Sequence, residues 1–165
     1  MTQITPIPAF NDNYIWVGSQ HTHDQCFVVD PGDAAPVLHF LQQHNKQLNT
    51  ILLTHHHADH TGGVAELCRL YPGTKVIGPR AEQHRITGIT SFVGHDDTIT
   101  LTKFGLSFKV LAVPGLLQDT GYDADRAIWY GRDVAGTGNV DEIGRRRQVR
   151  PEFGEIRHIL SSTIL

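Results

Sequence analysis

Residues Leu48 to Gly63 read LNTILLTHHHADHTGG. The stretch Leu48 to Leu53 is an apolar run of the kind buried on both faces of a sheet. From Gly62 to Tyr71 the residues Val64, Leu67, Cys68 and Tyr71 recur at helical spacing, which predicts an amphipathic helix. Between them lies Thr54-His55-His56-His57-Ala58-Asp59-His60, so a strand feeds a helix through a junction carrying four histidines and one aspartate. Neutral imidazole and carboxylate are good ligands for zinc and neighbouring first-row metals. His55 and His57 alternate, so in an extended loop their rings leave one side and can share one ion. Asp59 and His60 come as the chain turns into the helix and can face a second ion. His56 lies between them and points elsewhere. The plainer alternative, a solvated histidine cluster, does not explain why so many ligands crowd one strand-to-helix junction.

Outward from this junction the chain alternates strands and helices. Ile4 to Ala9, Tyr14 to Val17 and Cys26 to Val29 read as short strands separated by turn residues. Asp33, in Asp30-Pro31-Gly32-Asp33, is placed to cap a helix over Ala34 to His44 with Val37, Leu38 and Leu41 on one face. Further on, Lys75 to Gly78, Thr98 to Leu101 and Leu106 to Val113 read as strands, and Arg80 to Ile86 as a weaker helix. Strands alternating with helices predict an α/β layered fold.

Composition narrows the function. With 165 residues, 39% of them hydrophobic, the chain suits one domain with a real core. It contains no apolar run long enough for a membrane helix. A formal charge of -3 carries no basic footprint for nucleic acid. Two cysteines, Cys26 and Cys68, make no disulfide framework, and the start MTQITPIPAF has neither a cationic leader nor an apolar h-region. The expectation is a soluble, cytoplasmic, monomeric domain.

The motif Thr54 to His60 matches the signature T-H-x-H-x-D-H of the metallo-β-lactamase superfamily. The opening Ile7-Pro8-Ala9-Phe10-Asn11-Asp12-Asn13-Tyr14-Ile15-Trp16, followed by Val28-Val29-Asp30-Pro31-Gly32-Asp33, resembles glyoxalase II, the hydroxyacylglutathione hydrolases. The resemblance runs from about Ile4 to Gly115. It implies an αβ/βα sandwich with the metal site at the edges of two sheets. It also implies hydrolysis of a small glutathione thioester, S-D-lactoylglutathione, to D-lactate and glutathione, a step of methylglyoxal detoxification. By the resemblance a metal-bound hydroxide attacks the thioester carbonyl and glutathione leaves as a thiolate. It assigns His55 and His57 to a first metal and Asp59 and His60 to a second, with Asp59 also orienting the nucleophile. The ions are two Zn2+, with Fe or Mn as alternatives. Asp30 resembles the superfamily's early aspartate, which orients a ligand; a plain Asp-Pro-Gly turn is the other reading.

The resemblance stops at Gly115. The family pattern P-G-H-T-x-G-H is met by Pro114-Gly115 and then by Leu116-Leu117-Gln118-Asp119-Thr120. No G-D-T segment follows, and His158, in Glu155-Ile156-Arg157-His158, does not match the family's C-G-H-E-type motif. The family's glutathione-gripping helical region is not matched either. Residues 1–115 therefore read as a metallo-β-lactamase-like N-terminal region and residues 116–165 as an aberrant tail, so that the N-terminal half is intact and the C-terminal half truncated or aberrant. Up to Gly115 there are four Lys and three Arg; beyond it there are no Lys and seven Arg, three of them in Arg145-Arg146-Arg147. A basic solvated appendage is one account of this change. The other is a displaced reading frame. His-Thr-Ala-Gly-His written CAT ACT GCA GGA CAC, less the A of its first codon, gives Leu-Leu-Gln-Asp-Thr. The same displaced frame over Gly131 to Gly136 contains the family-like string Ala-Gly-Cys-Gly-Arg, and the two fits favour it. A sandwich cut at Gly115 is expected to leave the inner face of its first sheet bare and this copy impaired, a non-catalytic remnant with weak metal binding being the alternative to a working hydrolase.

Overall fold

A computed structural model describes residues 1–11 and 13–112 in full, together with the backbone of residues 113, 126–133 and 139–143. Leu116 to Thr120, Arg145 to Arg147 and His158, on which the departure from the family pattern rests, lie outside the described residues.

Six strands form the first sheet in sequence order: β1 (Gln3–Ala9), β2 (Asn13–Ser19), β3 (Gln25–Val29), β4 (Gln47–Leu52), β5 (Lys75–Pro79) and β6 (Ser91–Val93). The pairs β1–β2 and β2–β3 are antiparallel, and β3 to β6 are parallel. A second, antiparallel sheet has the order β10-β9-β8-β7, from β7 (Thr98–Leu101), β8 (Leu106–Val113), β9 (Arg126–Asp133) and β10 (Asn139–Ile143). Three helices, α1 (Ala34–Gln43), α2 (Ala58–Thr61) and α3 (Val64–Leu70), accompany the first sheet. None of the helices among the described residues is long and apolar enough to cross a membrane, which says nothing of a β-barrel.

Strand periodicity divides the interior into two layers. On β3, Cys26 and Val28 join the layer with Val37 and Leu41 of α1 and Val64 and Leu67 of α3. Phe27 and Val29 turn the other way and join Leu52, Ile77, Ile99, Leu101, Phe104, Leu106, Phe108 and Val110. Because side chains alternate along a strand, a run buried on both faces must be apolar throughout, as Cys26 to Val29 of β3 are. The Phe27 ring meets Phe104 and Phe108 edge-on, at centroid distances of 5.1 and 6.1 Å.

That second layer corrects one expectation. The inner face of the first sheet is not bare: β7, β8 and the Thr102–Phe104 turn cover it, and Phe108 is fully buried. Within the stretch taken as a tail, the backbone of β9 pairs with β8 from Leu106↔Asp133 to Val113↔Arg126.

Two helix expectations also change. Arg80 to Ile86 is not a helix but a single tight turn over Arg80–Glu82, because Glu82 turns inward to a buried polar contact instead of lining an amphipathic face. The helix expected from Gly62 begins at Ala58 and is divided at Gly62-Gly63. The division has a steric cause. A Cβ on Gly63 would fall 2.6 Å from both Pro31 O and Ala34 N, and the Gly63 N–H donates to Pro31 O at 2.9 Å. A Cβ on Gly32 would collide with the backbone carbonyl of Asp59. These glycines let the turn after β3 and the start of α2 lie backbone against backbone, which fixes the frame of the site.

Candidate metal centre

The first fixed point is Asp30, at the end of β3. It is buried and adopts φ +51°, a left-handed conformation that aspartate tolerates better than most residues. The Thr54 N–H donates to its Oδ1 at 2.8 Å and the Thr54 hydroxyl to its Oδ2 at 2.6 Å. His60 Nδ1 lies 3.0 Å from the same Oδ2. Burial alone would push the Asp30 carboxyl up. The charges of His60 and His55 and the hydrogen bonds from His60 and Thr54 outweigh it and hold the group below the ordinary carboxylate value.

This network sets the histidine tautomers. An ionised carboxylate only accepts, so the single Thr54 hydroxyl proton is committed to Asp30. His55 Nδ1, 2.8 Å from the same hydroxyl oxygen, must then donate to it, so that in the neutral ring Nε2 presents a lone pair. His60 Nδ1 likewise donates to Asp30 and leaves its own Nε2 for a proton or a metal. Around these two atoms stand the other candidate residues of the motif. His57 Nδ1 is 3.1 Å from His55 Nε2, and Asp59 Oδ2 is 3.2 Å from His60 Nε2. The His55 and His60 rings are 4.0 Å apart at their centroids. Ligand atoms of Asp30, His55 and His60 all lie within 4.8 Å of one another.

The structure therefore brings His55 beside His57 and Asp59 beside His60, with Asp30 joining the two pairs. His55 is fully buried and His60 nearly so, while the Asp59 side chain is 54% exposed. His56 points away from the cluster, to Glu82 Oε2 at 2.7 Å. Three contributors were not assigned from sequence. The sequence presents Thr54 only as part of the motif, Asn13 only as part of a turn and of the opening segment Ile7 to Trp16, and Glu82 only within the weak helix expected over Arg80 to Ile86. Thr54 had a signal, since it is the motif residue nearest a buried strand. Glu82 had none, because its inward turn depends on a partner 26 residues away. Nitrogen and carboxylate donors grouped in this way, with Asp30 and His55 buried and His60 oriented by a further hydrogen bond, fit a divalent ion.

The fold and this donor set define the class. The family model for the metallo-beta-lactamase superfamily matches residues 8–93, and the chain belongs to that superfamily. Relatives narrow the comparison. The chain is 47% identical to hydroxyacylglutathione hydrolase 2 of Vibrio vulnificus, over 86% of this chain and 56% of that one. It is 47% identical to the hydroxyacylglutathione hydrolase of Vibrio campbellii, over 99% of this chain and 64% of that one. The chain thus spans 56–64% of the length of these relatives, and both matches extend past Gly115. A solved metallo-beta-lactamase from Staphylococcus aureus shares the fold, with a TM-score of 0.65 at 15% identity over 87% of this chain and 43% of that chain.

Proposed function

We propose that this centre binds divalent metal, zinc foremost with iron or manganese as alternatives, and that the chain is by family a thioester hydrolase of the hydroxyacylglutathione type, in an impaired copy. Its substrate is then S-D-lactoylglutathione and its products D-lactate and glutathione. The observation that carries the reading is the pairing of His55 Nε2 with His57 Nδ1 at 3.1 Å and of His60 Nε2 with Asp59 Oδ2 at 3.2 Å around one buried carboxylate. The names of the relatives supply the substrate class.

In this reading His55 and His57 hold one ion and Asp59 and His60 the other. An ion held there would supply a water ionised at neutral pH and positive charge toward the thioester carbonyl oxygen. Thr54 and Asp30 keep the His55 and His60 rings in tautomers that present Nε2. Asp59, half-exposed at the start of α2, is placed to orient the attacking water. The C–S bond then breaks and the sulfur leaves as a thiolate; a thiol pKa of about 8.5 makes an acid at the leaving group unnecessary. The free Cys26 and Cys68 accord with a cytoplasmic location. The tail from Leu116 we read as the product of a displaced frame, which resequencing the locus tests.

Leu116 stands where the family pattern places its next histidine, so the 165-residue chain itself should turn over S-D-lactoylglutathione barely above background in added zinc. A chain with its frame restored before Leu116, and at any later lesion, should hydrolyse the thioester in a chelator-sensitive way and lose the activity on His57→Ala. An inactive restored chain would refute the hydrolase reading. Robust turnover by the unrestored chain would show that the departure at Leu116 removes nothing essential.

A further inference from the structure

We propose that Asn13 is the positioning residue for the Asp59 carboxylate. The inference deepens the metal-centre reading and rests on it. Asp59 poses a problem for any site that uses it. Its side chain is 54% exposed in the first turn of α2, so solvent and its own rotamers compete with one fixed orientation. The first strand pair supplies the constraint. Asn13 opens β2 directly across from Ala9, the last residue of β1, and Phe10 begins the hairpin tip between them at φ +56°. Asn13 is itself pinned, because its Oδ1 accepts the Tyr14 N–H at 2.9 Å. That leaves its Nδ2 to reach across 46 residues of sequence and donate to the Asp59 backbone carbonyl at 3.1 Å and to Asp59 Oδ2 at 3.4 Å.

One amide thus holds Asp59 at two points, main chain and carboxylate. The oxygen it touches is the one beside His60 Nε2 at 3.2 Å. Groups that orient metal ligands in this way are typically worth 10–100-fold in metal affinity. Because Asn13 lies on a different element from every ligand, it also couples the hairpin tip to the metal site.

The test uses the whole chain, titrated with zinc and, in parallel, with cobalt(II) read by visible absorption. Asn13→Ala removes the amide. Asn13→Asp keeps an oxygen for the Tyr14 N–H, replaces the donor toward Asp59 with an acceptor and sets a second negative charge beside the Asp59 carboxylate. Both variants are expected to bind zinc about 10-fold more weakly and to alter the cobalt absorption, with metal-free circular dichroism and thermal midpoint unchanged. Binding by Asn13→Asp equal to that of the unaltered chain would reduce Asn13 to a turn cap and overturn the proposal. A metal-free midpoint that falls in both variants in step with affinity would assign Asn13 to folding and overturn it as well. No zinc uptake by the unaltered chain would remove the metal-centre reading and this inference together, whereas uptake that neither variant changes would remove this inference alone.

Discussion

Asp30 and Asp59 approach the two ring nitrogens of one histidine, His60, at 3.0 and 3.2 Å, yet they occupy opposite physical regimes. Asp30 is buried, sits in a left-handed turn and accepts hydrogen bonds from Thr54 N, Thr54 Oγ1 and His60 Nδ1. Asp59 is half-exposed and is held through Asn13 Nδ2 and His60. The buried carboxylate organises the site, because every group around it loses a partner if it goes. The exposed carboxylate is available to chemistry, because water and substrate can reach it. The motif names the second far more clearly than the first.

The largest effect should come from exchanging these roles. Asp30→Ala leaves His60 and the buried Thr54 hydroxyl without their acceptor and should cost about 3–5 kcal/mol, the range found when one partner of a buried ion pair is removed. Asp59→Ala should cost under about 1 kcal/mol, as partly exposed pairs do. Urea unfolding of the two metal-free variants measures both, and equal losses would break the comparison.

A smaller effect tests whether burial, rather than membership of the motif, is what matters. Glu82 lies outside the motif, but it is buried with its carboxylate 2.7 Å from His56 Nδ1. Glu82→Ala should lower stability by about 1–3 kcal/mol through the polar group it strands. A thermal midpoint equal to that of the unaltered chain would show that the His56 contact is dispensable.

The smallest effect belongs to a carboxylate far from the site. Asp96 is exposed, and Lys109 holds its carboxyl below the ordinary value, first through a 2.7 Å hydrogen bond and then through charge. A depressed carboxylate pKa contributes stability above the unfolded value of about 4 and loses it as pH falls through the lower folded value. Thermal midpoints measured between neutral and strongly acidic pH should therefore fall slightly less in Lys109→Met than in the unaltered chain. An identical pH profile would show the pair to be energetically silent.

What the sequence revealed, and what it hid, follows the same division. Local features were legible. Asp33 caps α1, its Oδ1 accepting the Ala35 N–H at 2.9 Å, and the apolar run before the motif is β4. The alternation of His55 and His57 foretold their approach, and His56 does point elsewhere. Features that depend on distant partners were not legible. Asp30 could be read as a turn or as an orienting group, and only the approach of Thr54 and His60 decides between them. Glu82 becomes a buried acceptor because β5 carries it beneath the motif loop. The covering of the first sheet depends on the Phe27, Phe104 and Phe108 rings meeting across two sheets, which no period within a single strand encodes.

The most direct test of the central claim is zinc binding by the 165-residue chain beside His55→Ala and His60→Ala. The motif offers each ion two of the roughly four ligands of a closed zinc site, so the chain should take up zinc substoichiometrically and release it to a mild chelator. Both variants should lose that uptake. Zinc uptake undiminished in both, or none by the unaltered chain, would contradict a metal centre at Asp30, His55, His57, Asp59 and His60.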